Sequence, residues 1–251
     1  MSFFRLASPA AFYPVAGRLV PWFGGAAAVL ALVGLYIGFA VAPTDYQQGE
    51  SYRIIFIHVP AAWMAMFVYL VMAGWAALSL AFNTRLSAMM AQALAPTGAM
   101  FAFIALWTGA FWGRPTWGTY WVWDARLTST LILLFLYLGF IALREAIDDV
   151  RKADRASALL AIVGVVNVPI IYFSVKWWNT LHQGASVSLT AAPKMAQTML
   201  AAMLIMTFAA WAYTIAVALH RVRSIILERE AHAEWVQREA AGPAARLREA
   251  T

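Results

Sequence analysis

The chain has 251 residues, 63% of them hydrophobic and only 12% charged, with a formal charge of +6 and no cysteine. A soluble domain carries about twice that charged fraction. The missing cysteine excludes a disulfide framework, a thiolate metal site and a CxxC redox pair. The basic residues flank apolar runs, so the positive charge reads as membrane topology and not as a nucleic-acid footprint.

A bilayer core of about 30 Å needs roughly 20 apolar residues in helix. Six runs meet that length, at about residues 22–42, 54–81, 92–112, 128–144, 157–175 and 195–219. None alternates polar and apolar residues, so helices are predicted and not barrel strands. The expected fold is an all-α integral membrane protein: a bundle of six transmembrane helices over residues 1–223, then a charged tail over 224–251. The first run follows Arg5 and Arg18 and is long enough to span, so no cleavable leader is expected. It contains Gly34 and Gly38 at a spacing that favours close helix contact. Pro60, near the start of the second run, and Pro169, inside the fifth, are predicted to kink their helices. The eleven methionines read as packing fillers. The tail is rich in Ala, Glu and Arg. Its opening continues the last helix, and Gly242-Pro243 breaks it. It is either a solvated extension or a docking segment.

Orientation follows from the basic residues. With the N-terminus inside, 13 of the 18 Lys and Arg fall in inside segments and five outside: Arg53, Arg114, Arg126, Lys176 and Lys194. Both termini are therefore expected on the cytoplasmic side.

The third connection is then external and reads WGRPTWGTYWVWDAR from Trp112 to Arg126. Four tryptophans, Trp112, Trp117, Trp121 and Trp123, fall within twelve residues of it. Trp117, Tyr120, Trp121 and Asp124 are spaced i, i+3, i+4, i+7, which predicts one face of a short interfacial helix. One or two such residues would suit an aromatic belt. This density suits a shelf for a flat, apolar ligand. Asp124 precedes the fourth span, where it caps the helix or pairs with Arg126 or Arg114.

Of four histidines, His58 and His182 fall on the predicted external side, and His220 and His232 on the cytoplasmic side. A lone interfacial histidine is ordinarily a wetted polar side chain, but ionisable groups near membrane spans are functional candidates. Two imidazoles and an aromatic shelf on one face suit axial ligation of haem iron. Arg53, Arg114 and Arg126, with Lys176 behind them, are candidates for the propionates; contact with lipid headgroups is the plainer reading of each. No carboxylate set suits Ca²⁺. No Walker loop, nucleophile elbow or HExxH motif is present, so ATP hydrolysis is not supported.

The segment WGRPTWGTYWVWDARLTS resembles the tryptophan-rich signature of haem-handling membrane proteins. With IFIHVPAAW around His58 and WNTLHQGASVSL around His182, it is most similar to the haem exporter protein C (CcmC) family of bacterial cytochrome c maturation. The likeness covers nearly the whole chain. It implies a multi-pass protein of the bacterial inner membrane that holds haem b at the periplasmic face and is not an enzyme in the ordinary sense. It also implies delivery to a membrane-anchored haem chaperone (CcmE-like). The implied complex contains an ABC transporter ATPase (CcmA-like), its membrane subunit (CcmB-like) and a small single-span subunit (CcmD-like). The family's axial histidines map to His58 and His182, and its platform to Trp112, Trp117, Trp121, Trp123 and Asp124. Tyr120 stands where some relatives have Trp. Two other readings remain: a structural docking subunit of the transporter without haem ligation, and a stand-alone channel, which the apolar spans disfavour.

Overall fold

The computed structural model describes residues 7–178, 180, 182, 187, 193 and 195–240. Among the described residues, eight α-helices follow in order: α1 (Pro9–Tyr36), α2 (Ile55–Phe82), α3 (Arg85–Trp117), α4 (Ala125–Ala146), α5 (Val150–Gly164), α6 (Asn167–Trp177), α7 (Gln197–Arg229) and α8 (Glu234–Ala240). A π-helical turn, Ile37–Val41, extends α1, and a 3₁₀ turn, Glu50–Ile54, leads into α2. Among the described residues, six helical stretches are long and apolar enough to cross a membrane, with α5 and α6 together making the fifth. The protein is an integral membrane helical bundle.

The spans fall where the sequence suggests, but most run further, the first, third and fifth starting well before the predicted positions. α1 starts at Pro9, capped by the Ser8 hydroxyl, which accepts from the Ala11 N–H at 3.3 Å. The segment before residue 22 is helical because it has something to pack on. Gly17 lies against Arg223 of α7, and the Arg223 guanidinium stacks 4.3 Å from the Tyr13 ring centroid. Pro169 does break the fifth span. It has no N–H for the Val165 carbonyl one turn back, and the chain turns at residues 165–166 between α5 and α6. Pro60 is absorbed in the first turns of an unbroken α2.

The expectation of a helical opening to the tail holds, since α7 continues to Arg229. α8 then folds back on α1: Trp235 meets Tyr13 with ring centroids 5.7 Å apart, and Val236 is buried. Gly242-Pro243 lies outside the described residues.

Small residues let the helices approach. α1 packs chiefly on α7, and α2 on α3. A Cβ on Gly34 would lie 2.8 Å from Met206 of α7, and one on Gly38 2.6 Å from Phe56 of α2. At mid-bundle, buried Tyr69 of α2 and Tyr137 of α4 meet edge to face at 5.0 Å. Each occupies a glycine notch: a Cβ on Gly98 would fall on the Tyr137 ring, and one on Gly164 on the Tyr69 hydroxyl. Tyr137 also donates to the Ala65 carbonyl at 2.8 Å. This layer closes the bundle below the cavity described next.

The end of the bundle away from His58 is tied by charge. Asp154 of α5 accepts from Arg229 of α7 at 3.0 Å and also pairs with Arg144 of α4. Arg229 reaches Gln92 of α3 at 2.7 Å. All three charged side chains are less than one-fifth exposed.

Candidate ligand-binding site

The Trp-rich connection does not form the predicted interfacial helix. α3 runs through Pro115 to Trp117 and stops at Gly118, whose φ of 78° is left-handed. Glycine adopts that conformation without the steric penalty other residues meet. Residues 118–124 are not helical, and α4 starts at Ala125. The i, i+3, i+4, i+7 spacing from Trp117 to Asp124 is therefore not a helical face. Asp124 takes the capping role, its Oδ1 accepting from the Leu127 N–H at 2.7 Å.

Folding back brings that connection over the ends of α2, α3, α4 and α6. Between them is a recess with about 680 Å³ of empty space, part of it open to solvent. His58, Trp117, Tyr120, Trp121, Arg126 and His182 line its mouth. Its inner wall is apolar, built from Ala62, Ala65, Met66, Ala105, Leu133 and Ile171. A second, smaller hollow shares His58, Gly109, Trp117 and His182 and adds Gln48, Trp112 and Thr116. The two predicted imidazoles, distant in sequence, thus border the same space.

Each imidazole has its own setting. His58, on the first turns of α2, places Nδ1 3.0 Å from the Thr108 hydroxyl of α3. Its ring stands edge-on to Trp112 at 5.5 Å. Gly109 makes room for it, because a Cβ there would lie 3.0 Å from His58 Cε1. Trp112 is held in turn, its Nε1 donating to Gln48 Oε1 at 2.7 Å. Gln48 is placed by a tight turn in which Asp45 Oδ1 accepts from the Gln47 and Gln48 N–H groups at 2.9 and 2.8 Å.

His182 packs on Trp117, ring centroids 5.0 Å apart. Its Nδ1 faces Asp124 Oδ2 at 3.7 Å, and neither atom has a hydrogen-bond partner among the described residues. Burial, with the Arg126 guanidinium adding to it, pushes the His182 imidazole down to about 4, against a smaller opposing pull from Asp124. The ring is neutral near pH 7, the state in which an imidazole nitrogen can bind a metal.

The remaining predicted residues divide. Arg126 lines the cavity and donates to the Ile171 carbonyl at 3.2 Å. Trp121 also lines it, with a buried Nε1 that has no partner among the described residues. Trp123 packs edge-on to Trp121 at 5.4 Å but is 77% exposed, outside both hollows. Arg53 is not brought to the cavity. It pairs with Glu50 and donates to the Gly38 carbonyl at 2.5 Å, joining the start of α2 to α1. Arg114 is directed to the Gly118 carbonyl and the Tyr120 ring. Lys176 lies near the Phe173 ring, and Lys194 lies outside the described residues. Sequence reasoning missed Gln48, Thr108 and Gly109. The last two stand one helical turn before Trp112, and a threonine beside a glycine in an apolar run was the available signal.

The cavity suits a flat, largely apolar group with a metal and an acidic edge. It has two imidazoles, indole walls, a glycine-made recess and, among the described residues, a guanidinium without a carboxylate partner and an indole donor lacking an acceptor. Among the described residues no cluster of three or more His, Asp, Glu or Cys gathers for a bare metal ion.

Fold and site together define a polytopic helical membrane protein with an imidazole-bearing, aromatic-walled cavity at one end of the bundle. The family model described as Heme exporter protein C (CcmC) matches residues 2–237. The chain is 54% identical over 182 residues to Heme exporter protein C of Escherichia coli strain K12, covering 72% of this chain and 74% of that one. It is 45% identical over 231 residues to Heme exporter protein C of Haemophilus influenzae, covering 92% and 94%. A ccmC-like mitochondrial cytochrome c biosynthesis protein of Marchantia polymorpha is 50% identical over 159 residues, covering 63% and 67%. The chain belongs to the haem exporter protein C family.

Proposed function

We propose that this protein holds haem b at the His58 end of its bundle and presents it to a membrane-anchored haem chaperone during maturation of c-type cytochromes. That end is the periplasmic face of the bacterial inner membrane, with both termini in the cytoplasm, as the distribution of Lys and Arg favours. The work is done within an ABC-type transporter complex whose ATPase, membrane subunit and small single-span subunit are separate chains. The observation that carries the reading is the convergence of His58 and His182 on one aromatic-walled cavity. The names of the relatives support the same cargo.

The chain's own groups divide the task. His58 and His182 offer neutral imidazole nitrogens to the iron. Trp117 and Trp121 give apolar, polarisable surface to the ring. Arg126 is the favoured partner for a propionate, since a guanidinium suits a carboxylate and this one faces the cavity. Trp121 Nε1 is a second donor for the same edge. Arg53 and Arg114 shape the surrounding loops. Exposed Trp123 is placed to touch the chaperone.

The test is the visible absorption spectrum of the detergent-purified protein with His58→Ala, His182→Ala and His220→Ala. A Soret band that weakens or shifts in the first two and not in the third supports axial ligation by the cavity pair. No haem in any preparation, with transporter partners and chaperone present, would leave the docking-subunit reading.

A further inference from the structure

We propose that Thr108 is the positioning residue that sets His58 as an Nε2 ligand and strengthens its hold on the iron; this rests on the haem-holding reading above. A threonine hydroxyl has one proton to give and lone pairs to accept with. The Thr108 oxygen lies 2.6 Å from the Ile104 carbonyl one turn back on α3, which takes that proton. A carbonyl cannot return one. The same oxygen lies 3.0 Å from His58 Nδ1, so it accepts there and Nδ1 carries the ring proton. Nε2 is left with its lone pair.

The contacts around the ring fit this assignment. Gly109 lets the imidazole lie against α3, and Trp112 stands edge-on to it. Thr108, Gly109 and Trp112 fall within two turns of one helix, so a single rigid element fixes both tautomer and orientation. Partners of this kind orient a metal ligand and tune its basicity.

The other imidazole has a different neighbour. His182 Nδ1 faces the Asp124 carboxylate oxygen, with both atoms buried and without partners among the described residues. That gap, 3.7 Å, is longer than a direct hydrogen bond, so among the described residues Thr108 gives His58 a close Nδ1 partner that His182 lacks.

The experiment has two arms on the full-length protein in detergent. In the haem-free arm, ¹⁵N-histidine labelling and NMR report the tautomer directly. Wild type and Thr108→Ser are expected to show His58 protonated at Nδ1 and bare at Nε2, and Thr108→Val to lose that preference. A wild-type His58 protonated at Nε2 overturns the inference without reference to any variant. In the haem-loaded arm, free imidazole is titrated while the absorption and EPR spectra are followed. Half-displacement is expected at about tenfold lower imidazole in Thr108→Val, the scale on which such partners act, and at the wild-type concentration in Thr108→Ser. An unchanged Thr108→Val titration, with His58→Ala still altering the spectrum, overturns the role of Thr108. A His58→Ala spectrum identical to wild type instead rejects the underlying reading of haem ligation.

Discussion

Trp121 combines an indole ring at the cavity wall with a buried N–H that has no acceptor among the described residues. A buried donor left unpaired costs about 1–3 kcal/mol. Trp121→Phe removes it while keeping an aromatic face, so the two readouts are expected to move in opposite directions. The haem-free variant should melt at a temperature at or above wild type in detergent, by differential scanning fluorimetry. Its haem content after purification should fall. Loss of both together would show that the indole N–H has a structural partner and is not waiting for a ligand. His182 gives a prediction in pH. Its pKa is about 4 in the folded protein, against an ordinary value of 6.5, so between those values the unfolded chain binds more protons. Stability is therefore unaffected above about pH 6.5 and falls as pH drops toward 4. Thermal unfolding of the haem-free protein from pH 8 to 4.5 should show that decline, and His182→Asn should flatten part of it.

At the scale of elements, the connection from α3 to α4 depends on two residues with different roles. Gly118 takes a left-handed φ, so Gly118→Ala should cost about 1–2 kcal/mol and disturb the cavity mouth. Asp124 caps α4 with one oxygen and faces His182 with the other. Asp124→Asn keeps a good cap and loses the charge, so it should leave the unfolding temperature near wild type and alter the haem spectrum. Asp124→Ala should lower both, with about 1 kcal/mol lost from the cap. An Asn variant with a wild-type spectrum would remove the carboxylate from the ligand environment. This connection also marks the limit of what was legible. The spans could be read because a bilayer demands long apolar runs whatever their packing. The site residues could be read by type and side, and His58, His182, Trp117, Trp121 and Arg126 do gather. The conformation between residues 117 and 124 could not, because an aromatic-rich stretch offers helical spacing by composition alone. One glycine then decided against the helix. The polar partners Gln48 and Thr108 matter through their distances to Trp112 and His58, which no pattern along the chain encodes.

Across the whole molecule, the helices are fixed at two levels. Away from the cavity, Asp154 serves two guanidiniums from different helices. Asp154→Asn would leave both buried charges without their carboxylate. A loss of about 3 kcal/mol or more is expected, read as a lower unfolding temperature with little change in the haem spectrum of the protein that remains folded. A normal unfolding temperature would show that Gln92 and solvent suffice for Arg229. Midway through the bundle, the Tyr69–Tyr137 layer fills the space beneath Ala65 and Leu133 with side chains that have essentially no exposed surface. That floor makes the cavity a cup and not a tube. A cup fills and empties over its rim. A molecule held between His58 and His182 therefore arrives and departs at the level of the aromatic mouth, from the water or sideways from the lipid beside it. Traffic from the far side of the membrane must take a road that does not run down the axis of this bundle.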